Sequence, residues 1–144
     1  SRRVVAEDQA AALRISQAAL RESDQRLRGV LNSIGEGFAH FGPDFTILDV
    51  NDETLRLDGR SRDELVGRSH WDAFPGSEHS SVGELFRRVM CDRKPGSLEH
   101  RYQWPDGRQA WIDVRAYPTA DGGVACFWRD VSDRKMAEAA LRES

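Results

Sequence analysis

Gly122-Gly-Val-Ala-Cys-Phe-Trp-Arg-Asp-Val-Ser-Asp-Arg-Lys135, running on into Met136-Ala-Glu-Ala-Ala-Leu-Arg-Glu-Ser144, decides the architecture. A β-rich run passes with almost no gap into a charged, alanine-rich helical segment. The core is therefore expected to end in a strand joined rigidly to an outgoing helix, with Ser132 as its N-cap. Residues 18–23 (Ala-Ala-Leu-Arg-Glu-Ser) recur as residues 139–144, so one helical phrase both enters and leaves the domain. That layout fits a module strung between others better than a free-standing enzyme.

Upstream of this tail the pattern alternates with period two over Leu98–Trp104, Gln109–Tyr117 and Val124–Val131, separated by turns at Pro105-Asp106-Gly107 and Thr119–Gly123. Spacing sets Trp104 opposite Trp111 across the first of these hairpins. Before them, Val82, Leu85, Phe86, Val89 and Met90 fall at helical spacing and predict an amphipathic helix over 81–93. Ser61-Arg-Asp-Glu64 is a capping-box signature, and His70–Phe74 reads as one helical turn stopped by Pro75-Gly76. Two shorter β runs, Gly37–Phe41 and Phe45–Val50, flank the turn Gly42-Pro43-Asp44, and Asn51 opens a short helix over Asp52–Leu57.

Residues 4–31 read as one long helix in which Leu13, Leu20, Leu27 and Ile34 recur every seven residues. Ala10, Gln17, Asp24 and Leu31 make the companion positions mixed, so the stripe predicts a weak pairing with a twin helix. The predicted dimer seam is Leu13, Leu20 and Leu27, lying either at a two-fold contact or against the outer face of the sheet. The last turns of the helix are expected to pack on the core. The chain divides into a coiled-coil-like helix at 1–32, a core at 33–131 and the start of a linker helix at 132–144. The fold class is α+β: a five-stranded antiparallel sheet with its helices on one face.

A length of 144 residues suits one domain. A net charge of −3, with no basic stripe, argues against nucleic acid or an anionic membrane surface as partner. The chain has no apolar run of transmembrane length and no signal core, which makes the cytoplasm the expected location. Cys91 and Cys126 stand alone, so neither a disulfide framework nor a zinc site is expected. There is no nucleophile elbow, phosphate loop or His-Glu-x-x-His pair. The fragment is therefore expected to have no catalytic residues, no metal and no activity of its own.

Glu36-Gly-Phe38, Ile47-Leu-Asp-Val-Asn51, Ser61-Arg-Asp-Glu-Leu-Val-Gly67, Trp104-Pro-Asp-Gly-Arg108, Trp111-Ile-Asp-Val-Arg-Ala-Tyr-Pro118 and Arg129-Asp-Val-Ser-Asp-Arg-Lys135 occur in an order that resembles the PAS family of sensor domains. The last phrase looks like that family's Asp-Ile-Thr ending. The resemblance covers roughly residues 33–135. It implies a curved sheet whose concave face can hold a small ligand, within a bacterial histidine kinase or cyclic-dinucleotide enzyme.

Strand alternation sets His100 with Tyr102, Ile112 with Val114, and Cys126 with Trp128, each pair on one side of its strand. The resemblance to flavin-binding relatives implies that these sides face inward, which makes Ala39, Phe41, His100, Tyr102, Ile112, Val114, Cys126 and Trp128 a candidate pocket facing Phe86 and Val89 of the helix. The blue-light relatives carry a flavin-attacking cysteine where this chain has His70. Their flavin-reading amides are replaced by Tyr102, Ile112 and Trp128. A thiol–flavin adduct is thus excluded by the resemblance. His70, His79 and His100 are the candidate haem ligands, each read as a surface or capping residue instead. No cofactor is expected, and an unidentified small ligand is left open; the alternative function is a receptor holding flavin, haem or another small molecule. Arg101, Arg108 and Arg115 are assigned to the outer face of the sheet. Asp130, Val131 and Ser132 are the expected coupling residues between sheet and exit helix. The expected partners are a second copy, through the entry helix, and adjacent PAS, kinase or other effector domains.

Overall fold

A computed structural model of the chain describes residues 2–143, except for the side chain of Arg3. The terminal residues of the entry and exit segments, Ser1 and Ser144, lie outside the described residues. Helix α1 (Arg2–Ser33) leads into β1 (Gly37–Phe41) and β2 (Ile47–Val50). Three short helices follow, α2 (Asp52–Asp58), α3 (Arg62–Leu65) and α4 (His70–Ala73), with a 3-10 turn at Ser77–His79. The longer α5 (Ser81–Asp92) precedes β3 (Gly96–Gln103), β4 (Gln109–Pro118) and β5 (Val124–Asp130), and α6 (Ser132–Glu143) leaves the core.

The strands form one antiparallel sheet in the order β2-β1-β5-β4-β3, so the first and last strands of the core lie side by side at its centre. Helices α2 to α5 cover one face. The core between them holds Phe41, Ile47, Val50, Leu65, Leu85, Phe86, Val89, Val114 and Val124, all buried. Val89 packs here against Gly96 at the start of β3, where Leu85 leaves no room for a side chain.

Among the boundaries that differ from the sequence reading, four have a plain local reason. β2 begins at Ile47 because Phe45 adopts a left-handed φ of 64° in the turn that carries the Phe45 N–H to Gly42 O at 2.9 Å. β5 ends at Asp130, after which Val131 leaves the ladder but bonds back to β4. β3 starts at Gly96, two residues earlier than the apolar alternation, because its backbone pairs with Ala116 regardless of side-chain pattern. α2 takes one more residue, Asp58, before Gly59 closes it in a left-handed cap.

The hairpin also corrects the tryptophan pairing. Arg101 faces Trp111, and the Trp104 N–H bonds Arg108 O at 2.8 Å, so Trp104 lies opposite Arg108. Trp104 turns inward and is buried, whereas Trp111 points to the outer face.

The attachment of α1 is polar rather than apolar. Arg28 pairs with Asp49 and reaches Val50 O at 3.4 Å, while Asn32 Oδ1 accepts the Glu53 N–H at the start of α2 at 3.1 Å. The Asp49 carboxylate holds the Arg28 guanidinium above its ordinary value. Leu13, Leu20 and Leu27 are 58%, 68% and 64% exposed, so the placement of that stripe against the outer sheet face is not realised.

Candidate functional site

Asn51 organises the floor of the site. Its Oδ1 accepts the Thr54 N–H at 3.0 Å, capping α2, and also the Phe38 N–H at 2.9 Å, while its Nδ2 donates to Glu36 O at 2.9 Å. One buried amide thereby joins the end of β2, the start of α2 and the start of β1. Thr54 continues the link by donating to Phe38 O and accepting from Trp128 Nε1 at 3.2 Å. Gly37 permits this approach, since a Cβ there would meet Trp128 Nε1 at 2.5 Å.

Above this floor lies a cavity of about 90 Å³. Ala39, Phe41, His100, Tyr102, Ile112, Val114, Cys126 and Trp128 of the strands line it, together with Phe86 of α5. Val89 does not: it is buried one turn further along α5, between that helix and β3. The short helices add wall residues that alternation does not reach, among them Thr54, Leu65, His70, Phe74 and Ser77, and β2 adds Ile47 and Val50. The wall is almost wholly apolar. Burial pushes the Cys126 thiol up to about 12, so it stays protonated, and it raises Tyr102 and lowers His100 in the same way.

His70 overturns the surface or capping role expected for it. It is 7% exposed, with its ring packed on Phe41 at 4.6 Å, Phe74 at 4.9 Å and Phe86 at 5.4 Å. Desolvation, with a smaller contribution from nearby Arg60, pushes it down to about 3, so the imidazole is neutral. Neither ring nitrogen has a hydrogen-bond partner, and the same is true of the buried Ser77 hydroxyl. Arg60 itself is held by Asp58 at 2.7 Å and Ala73 O at 2.6 Å, and the buried Asp58 also accepts from Trp104 Nε1 at 3.1 Å. His79 is exposed at the turn before α5, away from the cavity wall.

The arginines assigned to the outer face divide. Arg115 pairs there with the buried Glu36 just before β1, Arg101 is exposed, and Arg108 folds over Trp104 to bond Asp58 O at 2.6 Å. Among the described residues, no group of three or more His, Cys, Asp or Glu side chains could hold a metal ion. Both cysteines are unpaired, Cys91 exposed and Cys126 buried.

The exit from the sheet is a compact set of bonds. The Val131 N–H donates to Trp111 O at 2.8 Å, and the Trp111 N–H donates to Ser132 Oγ at 3.0 Å. Ser132 therefore ties α6 to β4 rather than capping its own helix. Asp130 Oδ1 takes the capping role by accepting the Ser132 N–H at 2.8 Å, and Val131 is buried beneath. One turn later Lys135 pairs with Glu99 of β3 at 2.8 Å and stacks over Trp111 at 4.9 Å, while Arg134 also pairs with Glu99. These two cations, Lys135 foremost, hold the Glu99 carboxyl below the usual carboxylate range.

A five-stranded antiparallel sheet covered on one face by short helices, with a helix issuing from its last strand, defines a single α+β module with an internal cavity and two helical connections. The sequence model of the family described as PAS fold matches residues 31–136, and the chain belongs to that family. Sporulation kinase E of Bacillus subtilis is 26% identical over 125 residues, which span 87% of this chain and 17% of the kinase. The aerobic respiration control sensor protein ArcB of Escherichia coli is 28% identical over 93 residues, covering 61% of this chain and 12% of that protein. The chain thus spans less than a fifth of the curated relatives it matches. A domain of a sensory box sensor histidine kinase/response regulator from Geobacter sulfurreducens superposes with a TM-score of 0.63 at 20% identity, covering 77% of this chain and 96% of that one.

Proposed function

We propose that the domain is a signal-relay and dimerisation module within a larger signalling protein, a histidine kinase or cyclic-dinucleotide enzyme, and has no catalytic role itself. An input at the cavity, or strain arriving through α1, shifts the sheet; β5 and β4 pass the shift to α6 and on to the effector. The observation that carries this reading is the double tie of Trp111, through Val131 and Ser132, to the first turn of α6. A helix start bonded at several points to two strands rotates with them instead of fraying. The input side is tied just as directly, because Arg28 and Asn32 of α1 bond to β2 and α2 next to Asn51.

Dimerisation rests on the exposed stripe of Leu13, Leu20 and Leu27, which a second copy of α1 would cover. The repeat of residues 18–23 at 139–144 supports a following module entered by a helix of the same kind. No described helix is long and apolar enough to cross a membrane, and a cytoplasmic site of action is part of the proposal.

The alternative, a receptor with an occupied pocket, is favoured by the cavity itself. Its size sets the scale of the occupant. A volume of about 90 Å³ falls well short of the roughly 300–1,000 Å³ of sites for drug-sized ligands, which supports an occupant much smaller than flavin or haem. The relay is tested by Asp130→Ala combined with Ser132→Ala in the full-length protein. The fold should persist and the response of the effector to its stimulus should be lost; a normal response would refute the role of this junction.

A further inference from the structure

An apolar cavity of this size has no need of a histidine. Yet His70 stands in its wall with both buried ring nitrogens lacking a partner, and Ser77, also in the wall, adds an unpartnered hydroxyl. Among the described residues of the wall, these are the buried side-chain polar atoms that lack a hydrogen bond. Buried polar groups are normally satisfied, and each orphan in a folded domain calls for an explanation, an occupant of the site being one. A neutral imidazole offers one donor and one acceptor, and a serine hydroxyl offers both, so together they suit a hydroxyl or carbonyl group.

The remaining wall limits what carries that group. Phe41, Phe86, Ile112 and Val114 present only hydrocarbon. A charged ligand would lie there without compensation, because the nearby Arg60 guanidinium is already committed to Asp58 and Ala73 O. A dry cavity of about 150 Å³ admits benzene, so about 90 Å³ admits a molecule of only a few heavy atoms.

We propose that the cavity is a receptor site for a small uncharged amphiphile, a short-chain alcohol or carbonyl compound, whose polar head bonds to His70 and Ser77 and whose alkyl end lies against Phe41, Phe86, Ile112 and Val114. This deepens the sensor reading by naming the input, and it rests on that reading only for its consequence downstream. The site uses hydrogen bonds alone. No bond is made or broken.

The test is an NMR titration of the purified 15N-labelled domain with 1-propanol and with acetone, using propionate as the charged control. The neutral probes should shift the His70 ring nitrogens and the amides of Ser77, Ile112 and Val114 saturably, and propionate should not. His70→Leu and Ser77→Ala should each weaken propanol binding about tenfold, the effect of one lost hydrogen bond to a buried group. His70→Leu replaces an unsatisfied polar ring by an apolar side chain in an aromatic surround, so it keeps the fold and the comparison stays clean. The proposal is overturned if neither neutral probe saturates, if propionate binds as well as propanol, or if both variants bind propanol like the parent. Such a failure leaves the relay untouched, because that reading is tested separately at Asp130 and Ser132.

Discussion

Replacing His70 by leucine should make the unliganded domain more stable, and increasingly so as the pH falls. At pH 7 and above, the parent protein keeps a neutral imidazole whose two nitrogens are both unsatisfied. Leaving a buried donor or acceptor unpaired costs about 1–3 kcal/mol, and leucine removes that cost while matching the ring roughly in volume. A second contribution comes from protons. The unfolded chain binds a proton at His70 near the ordinary histidine value of 6.5, whereas the folded chain does so only at about 3. Between these values the unfolded state holds more protons, so parent stability is fully present above the upper value and falls with decreasing pH. The slope is about 1.4 kcal/mol per pH unit for one proton.

Moving from about pH 7.5 to about pH 5 should therefore widen the advantage of His70→Leu by roughly 2 kcal/mol. For a urea dependence near 2 kcal/mol/M, that is a midpoint separation greater by about 1 M. His100 is also held down by burial, and Tyr102, Arg60 and Asp58 lie close by, but all four are present in both proteins and cancel in the difference. The measurement is a pair of urea titrations at the two pH values with unchanged slope m. A constant separation between the proteins would refute the neutral buried imidazole. A large loss of stability in His70→Leu at neutral pH would refute its lack of partners.

Gly83→Ala should destabilise the domain by roughly 1–3 kcal/mol, read as a lower thermal midpoint, because its Cβ would lie 2.1 Å from Ser77 O and push α5 off the turn that carries Ser77. Leu20→Glu should convert a dimer of the isolated domain to monomer in sedimentation, with an unchanged far-UV spectrum; a persisting dimer would remove the α1 stripe from the account.

Most of the sheet and its cavity wall was legible because a half-buried strand writes its orientation as period two. His100 and Tyr102 on β3, Ile112 and Val114 on β4, and Cys126 and Trp128 on β5 share a side on that signal, and the family resemblance supplied which side is inward. Val89 shows where the signal stops, since helical periodicity identifies a buried face but not which part of it borders a void. His70 and Ser77 carried no comparable mark. They lie on a four-residue helix and a 3-10 turn, too short for any period, and their burial depends on α5 closing over them. A buried histidine flanked by Trp71 and Phe74 was the available hint. Trp104 and Trp111 were paired by spacing alone; the loop length fixes the true register and puts them on opposite faces. Ser132 had the composition of a cap, but the free Trp111 N–H just beyond the β4–β5 ladder claims its hydroxyl. The polar attachment of α1 through Arg28 and Asn32 was hidden, because both are ordinary helix residues until Asp49 and Glu53 are brought beside them.

Amide hydrogen exchange along α6 puts the mechanical link to its most direct trial. In the Asp130→Ala, Ser132→Ala variant, amides in the first turn of α6, Lys135 among them, should exchange roughly tenfold faster or more, matching the loss of about 1 kcal/mol per hydrogen bond. Amides of Val114, Ala116 and Val124 in the buried strands should keep the parent rate. Equal exchange in α6 of both proteins would mean that the helix is not held by the sheet through this junction, and the relay would have no structural basis.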